Sequence, residues 1–195
     1  MLFIACFWCL INFKIISNSF ILFFSFPLLS CYTFSIPFSN LLILLFSSFP
    51  LQSTNIFIKI ALLNNSIESI SQSLGCGLLF IILQLKEFIY SYFSLSNNLI
   101  GSIFYFTTGL HGLHVIIGSF LFFLILFILM MDQSFNYYYL YIINFYSLFF
   151  IEYSFPIFLS SYYWHFIDFI WFCVFLLFIL IYYYFNYIGI IVMIY

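Results

Sequence analysis

Charge is what this sequence has least of. It holds no arginine and three lysines, Lys14, Lys59 and Lys86, against five acidic residues, Glu68, Glu87, Glu152, Asp132 and Asp168, so that 4% of its 195 residues are charged. A soluble domain carries about 25% charged residues. Eight charged side chains cannot clothe a water-exposed surface of this length, so a soluble globular fold is excluded and the bilayer is the solvent. The missing arginines also exclude a basic patch for nucleic acid. They leave the positive-inside rule almost nothing to count, so orientation cannot be read from charge. Alanine is nearly absent too, at Ala5 and Ala61 only, and no Walker loop, GxGxxG, HExxH or internal repeat is present.

What fills the space is aromatic: 33 Phe and 17 Tyr. Phe, Ile, Tyr and Asn have AT-rich codons, whereas Ala and Arg mostly need GC. The bias therefore points to an AT-rich genome of the kind organelles carry. The first residues show neither an Arg-rich amphipathic transit pattern nor a basic n-region with a cleavage site. Synthesis inside an organelle would account for both.

The apolar runs predict an all-α integral membrane protein of about five spans, each needing ~20 residues. The first lies between about 3 and 29, broken by Lys14 and Ser17-Asn18-Ser19, and Pro27 to Pro37 serves as a connection. A second runs from Phe38 to Ala61, with Pro50 in its middle and Lys59 at the boundary. The polar stretch 64–73 reads as a water-facing turn, with Glu68 suited to the first turn of the next helix. A third span runs from Leu74 to about Phe93, a turn follows at Ser94 to Asn98, and a fourth runs from Leu99 to Met131, closed by Asp132-Gln133-Ser134. The last runs from about Ser160 to Tyr184. Residues 135–158 are ambiguous. Hydropathy permits another crossing, but the tyrosines favour a segment lying at the membrane surface or against a partner.

Polar groups at membrane depth are costly and mark sites. Thr107, His111, His114 and Gly118 fall at i, i+4, i+7 and i+11 and share one helix face, with Gly101, Thr108, Gly112 and Ser119 in a second stripe. Small residues let a neighbouring helix approach, and Thr and His can hydrogen-bond across the contact. Haem or copper ligation needs axial His on facing helices or a ligand cluster, and the chain has three His in all. A helix-contact role suits His111 and His114 better than ligation, with a proton path as the third reading. His165 and Asp168 stand at i, i+3 and can pair through a charge-assisted bond. Trp164 and Trp171 suit a helix entering the bilayer. Glu87, beside Gln84 and Lys86, can face the bundle as a pairing or relay group. Cys6 and Cys9 form a lone CxxC in an apolar run and read as packing rather than as a redox or metal pair.

The string Gly109-Leu110-His111-Gly112-Leu113-His114-Val115-Ile116-Ile117-Gly118-Ser119 resembles the cytochrome c oxidase subunit III pattern GxHGLHVIIGS. Tyr163-Trp164-His165-Phe166-Ile167-Asp168-Phe169-Ile170-Trp171 is similar to the same family's YWHFVDxVW. Leu83-Gln84, Glu87, Phe93, Ser96 and Gly101-Ser102 keep its order and spacing, and Ile36-Pro37-Phe38-Ser39-Asn40 resembles the start of its fourth span.

The resemblance implies spans three to seven of a seven-helix fold. Residues 1–36 form a poorly matched first part, 37–195 a helical bundle, and 135–158 an interfacial insertion, since an extra crossing would invert the last span. It implies a core, non-redox subunit of the terminal respiratory oxidase in the mitochondrial inner membrane. No catalytic, cofactor or metal site is expected in this chain. Haem a and copper belong to partner subunits, and phospholipid is an expected ligand. The implied partners are subunit I, other subunits of the complex, membrane lipid, and a separate chain supplying the family's first two spans. Thr107, His111, Gly112, His114, Gly118, Trp164, His165, Asp168 and Glu87 would form the polar skeleton of the bundle. A quinol oxidase subunit is the alternative within the family. A channel or transporter is the alternative outside it.

Overall fold

The computed structural model describes residues 3–6, 8–9, 31–60, 62–90, 99–139 and 145–194, and all of the regular structure among them is helical. Four long helices follow the chain: α1 (Cys31–Lys59), α2 (Leu63–Tyr90), α3 (Leu99–Tyr139) and α4 (Phe145–Ile194). Each contains a stretch long and apolar enough to cross a membrane: Ile36–Lys59, Leu63–Tyr90, Ser102–Met131 and Ser154–Leu177. With no water in the hydrocarbon core, backbone groups must be satisfied within the segment, and helices achieve this. The expected first span falls mostly outside the described residues.

Each helix packs on its chain neighbours, and α4 returns to pack on α1, so the four form a closed ring. Its centre holds Leu44, Leu51, Phe80, Val115, Phe122, Ile157, Trp164, Ile167 and Trp171. The outside is apolar as well. Phe46, Phe49, Leu79, Ile82, Phe120, Phe123, Phe166 and Phe169 are exposed, as lipid-facing side chains should be.

Three local expectations change. The stretch 64–73 is a helix rather than a turn: α2 begins at Leu63, and the connection is confined to the residues around Ile60 and Leu62. Its serines explain the change. Ser66, Ser69 and Ser73 lie on the buried face, and each hydroxyl donates to a carbonyl three or four residues back. A membrane helix can therefore carry serine without an unpaired hydroxyl, and the small side chain admits α1, whose Ser53 hydroxyl reaches Ser69 at 3.2 Å. Pro37 stands within α1 instead of before it, since membrane helices tolerate proline where neighbours re-satisfy the backbone. Asp132-Gln133-Ser134 does not end α3, which continues to Tyr139. Of residues 135–158, 135–139 complete α3 and 145–158 are continuous with the last span in α4, through Pro156. The expected turn at Ser94 to Asn98 lies outside the described residues.

Candidate functional site: a polar lock inside the helix ring

Trp164 occupies the middle of the α4 span and is fully buried. Its indole lies against the two glycines that leave it room. A Cβ on Gly77 would come within 2.7 Å of the ring, and one on Gly118 within 3.0 Å. Phe122 packs against the same ring at 4.8 Å. The indole Nε1 donates to the Ser47 hydroxyl at 2.8 Å, and Ser47 donates in turn to the Leu44 carbonyl at 2.6 Å. One side chain thus touches all three other helices and leaves its only polar atom paired. Sequence patterning suits Trp164 and Trp171 to a helix entering the bilayer, and the resemblance counts Trp164 in the skeleton of the bundle. Both rings lie inside the bundle, where glycines opposite Trp164 open a slot that a bulky ring fills.

His111, also fully buried, lies one layer further along. Its Nε2 sits 3.2 Å from the Ile167 carbonyl on α4. A carbonyl can only accept, so Nε2 carries the proton and Nδ1 is a bare acceptor. Phe80, His111 and Trp171 stack around one another with centroids 4.9 to 5.2 Å apart.

The other members of the predicted skeleton divide. Thr107 is buried, but its hydroxyl bonds back to Ile103 at 2.8 Å and Phe104 at 3.1 Å rather than across a contact. His114 does likewise, its Nδ1 sitting 2.8 Å from the Leu110 carbonyl, while its backbone carbonyl accepts from the Tyr163 hydroxyl at 3.4 Å. Gly118 makes a close approach, whereas a Cβ on Gly112 would meet nothing within 4 Å. His165 and Asp168 are brought together at 3.8 Å, an ion-pair distance too long for a hydrogen bond. The carboxylate is buried and the imidazole nearly half exposed. Glu87 is half-buried, with Oε2 unpartnered among the described residues.

Residues missed in the sequence complete the lock: Ser47, Gly77 and Phe80, together with Asn55, whose amide donates to Ser161 at 3.2 Å between α1 and α4. Glycine and serine at heptad-like spacing, Ser66, Ser69, Ser73 and Gly77 on one α2 face, was the available signal. Among the described residues no three His, Cys, Asp or Glu come together in a way that could hold a metal ion, and Cys6 and Cys9 are both free thiols. The arrangement can hold helices together. It offers no nucleophile–base pair.

Comparison with known proteins gives a consistent picture. The family model described as cytochrome c oxidase subunit III matches residues 1–186. A cytochrome c oxidase subunit 3 of Cyanidium caldarium is 31% identical over 140 residues, 72% of this chain and 46% of the relative. That of Enteroctopus dofleini is 38% identical over 100 residues, 51% of this chain and 49% of the relative. The human protein of the same name is 34% identical over 108 residues, 55% of this chain and 36% of the relative. The chain spans about half the length of the curated relatives it matches, or less.

Proposed function

From its place in the cytochrome c oxidase subunit III family, to which this chain belongs, we propose that it is a core, non-redox subunit of the terminal respiratory oxidase of the mitochondrial inner membrane. The family match over 1–186 carries this reading. The interior supports it, since hydrogen bonds across helix contacts tie the four helices into one bundle. Haem a and copper then reside in partner subunits. The exposed apolar flanks of the ring are available to subunit I, to other subunits and to phospholipid.

In this role His111, Gly118 and Trp164 fix the relative positions of α1 to α4, with Asp168 buried beside His165 on α4. Thr107, His114 and Gly112 shape α3, and His165 and Glu87 sit toward the periphery of the same bundle. A rigid bundle against subunit I would keep proton uptake and the oxygen-reducing site intact through turnover. Of residues 135–158, those that precede the Ser154–Leu177 span are proposed to lie near the membrane surface.

Two measurements test the reading. In a native gel of membranes, the chain is expected to co-migrate with the haem a absorbance. Migration apart from haem a, or substrate flux through the purified chain in liposomes, would overturn the assignment. Asp168→Asn keeps the shape but replaces an acceptor-only carboxylate by an amide with two donors. Mispairing one buried polar group costs about 1–3 kcal/mol. The variant should assemble less oxidase and lose activity faster during turnover. Assembly and turnover life equal to wild type would mark the His165–Asp168 pair as dispensable.

A further inference from the structure

Five buried side chains in one half of the ring carry polar atoms with no hydrogen-bond partner among the described residues. They are both amide atoms of Asn40 on α1, both of Gln84 on α2, Nδ1 of His111 on α3, and both carboxylate oxygens of Asp168 and Nε1 of Trp171 on α4; Glu87 lies beside Gln84, and His165 stands 3.8 Å from Asp168, without either closing a hydrogen bond. All are more than nine-tenths buried. Every helix of the ring contributes.

Cross-helix contacts set these groups within about two turns of one another along the bundle. Helices α1 and α4 run antiparallel, with Asn55 against Ser161, Ser47 against Trp164 and Phe38 against Phe175. That register puts Asn40 level with Trp171 and within about two turns of Asp168, at 1.5 Å rise per residue. Helix α2 runs with α4, Gly77 meeting Trp164 and Phe80 meeting Trp171, so Gln84 lies about one turn beyond that layer. His111 stacks on Trp171 directly. The opposite half of the ring pairs most of its groups, Trp164 with Ser47, Asn55 with Ser161 and Ser53 with Ser69, and leaves only the Ser119 hydroxyl without a partner among the described residues.

The unpaired set is chemically mixed. Trp171 Nε1 can only donate. His111 Nδ1 and the Asp168 carboxylate can only accept, and the two amides do both. The His111 and Trp171 rings sit 4.9 Å apart, yet the acceptor of one and the donor of the other remain unjoined. Leaving a polar group bare in hydrocarbon costs several kcal/mol. Water, a donor and an acceptor small enough for a closed layer, satisfies all of these groups at once. We propose that this half of the bundle is an internal hydration site, in which bound water bridges Asn40, Gln84, His111, Asp168 and Trp171. At about three hydrogen bonds per buried water, some three molecules suffice. The site is a property of the bundle and does not rest on the oxidase assignment.

X-ray hydroxyl-radical footprinting of the chain in the complex it purifies with, held in nanodiscs, tests this. Radiolysis of internal water generates radicals in place, so a buried residue beside bound water is labelled despite its burial. Trp171 is expected to label several-fold faster than Trp164, an equally enclosed indole whose nitrogen is already bonded to Ser47. Asn40→Leu, which narrows the layer and removes two of its polar atoms, should bring Trp171 down to the Trp164 rate. Equal protection of the two tryptophans in the wild-type chain would overturn the proposal, and so would Trp171 labelling that ignores Asn40→Leu. Because the readout is local, it stands or falls separately from co-migration with haem a.

Discussion

Trp164→Ala is expected to abolish stable assembly of the bundle. Truncating a buried tryptophan costs about 3–5 kcal/mol, a large share of the 5–15 kcal/mol that holds a typical domain folded. Here the loss is of packing rather than of hydrophobic transfer, because lipid tails are as apolar as the protein interior. The indole fills the slot between Gly77 and Gly118 and packs on Phe122, so its removal leaves three helices facing a void. Trp164→Phe separates the ring from its hydrogen bond. It keeps much of the packing and loses the Nε1 donor. Ser47 is not orphaned by that change, since its own proton already goes to the Leu44 carbonyl. The expected cost of Trp164→Phe is about 1 kcal/mol. Melting of the detergent-solubilised complex, followed by tryptic release of this chain, ranks the two. A Phe variant as damaged as the Ala variant would show that the hydrogen bond, not the packed ring, is the stronger tie.

The membrane class, the number of described spans and the span cores were legible in the sequence because hydropathy is additive along the chain. A run from Leu99 to Met131 with no charge can only be a span, and the structure places one at Ser102–Met131. The polar stretch 64–73 misled because composition does not reveal where a hydroxyl points. Eight of its residues could hydrate a turn equally well, and only their back-bonds make Ser66, Ser69 and Ser73 compatible with a buried helix face. The α3 stripe was found, but its chemistry was only partly legible. Periodicity assigns Thr107, His111 and His114 to one face, while pairing depends on what the facing helix offers. The Ile167 carbonyl turns His111 into a cross-link, whereas Thr107 and His114 satisfy themselves locally. Ser47 could not be singled out at all, and Gly77 only as one member of the serine–glycine stripe on α2. Their role exists only once Trp164 is brought against them from 117 residues further along the chain in the case of Ser47.

Gly77 and Gly75 offer the sharpest contrast, since they share a helix and differ by two positions. An added methyl at Gly77 would sit 2.7 Å from the Trp164 Cη2 and 2.8 Å from the Ser119 hydroxyl oxygen. The hydroxyl can rotate its proton but cannot move its oxygen without shifting χ1. The indole is pinned by Phe122, by Gly118 behind it and by its bond to Ser47. Neither neighbour is the loose end of a flexible chain, so the helices must separate or the ring must leave its rotamer. Overpacking of this kind costs about 1–3 kcal/mol for a single methyl group. A valine at the same place, with two further methyls, should prevent the α2–α4 approach outright. Gly75 meets nothing within 4 Å, so Gly75→Ala brings no clash and should gain up to about 1 kcal/mol from reduced backbone entropy in the unfolded chain. Gly112→Ala on α3 belongs with Gly75 for the same reason, although its motif position would place it with Gly118. Melting temperatures of complexes carrying each single change are expected to fall for Gly77→Ala and Gly118→Ala and to hold or rise for Gly75→Ala and Gly112→Ala. If all four fell alike, close approach at Trp164 would not be what these glycines provide, and helix ends or lipid contacts would have to explain them instead.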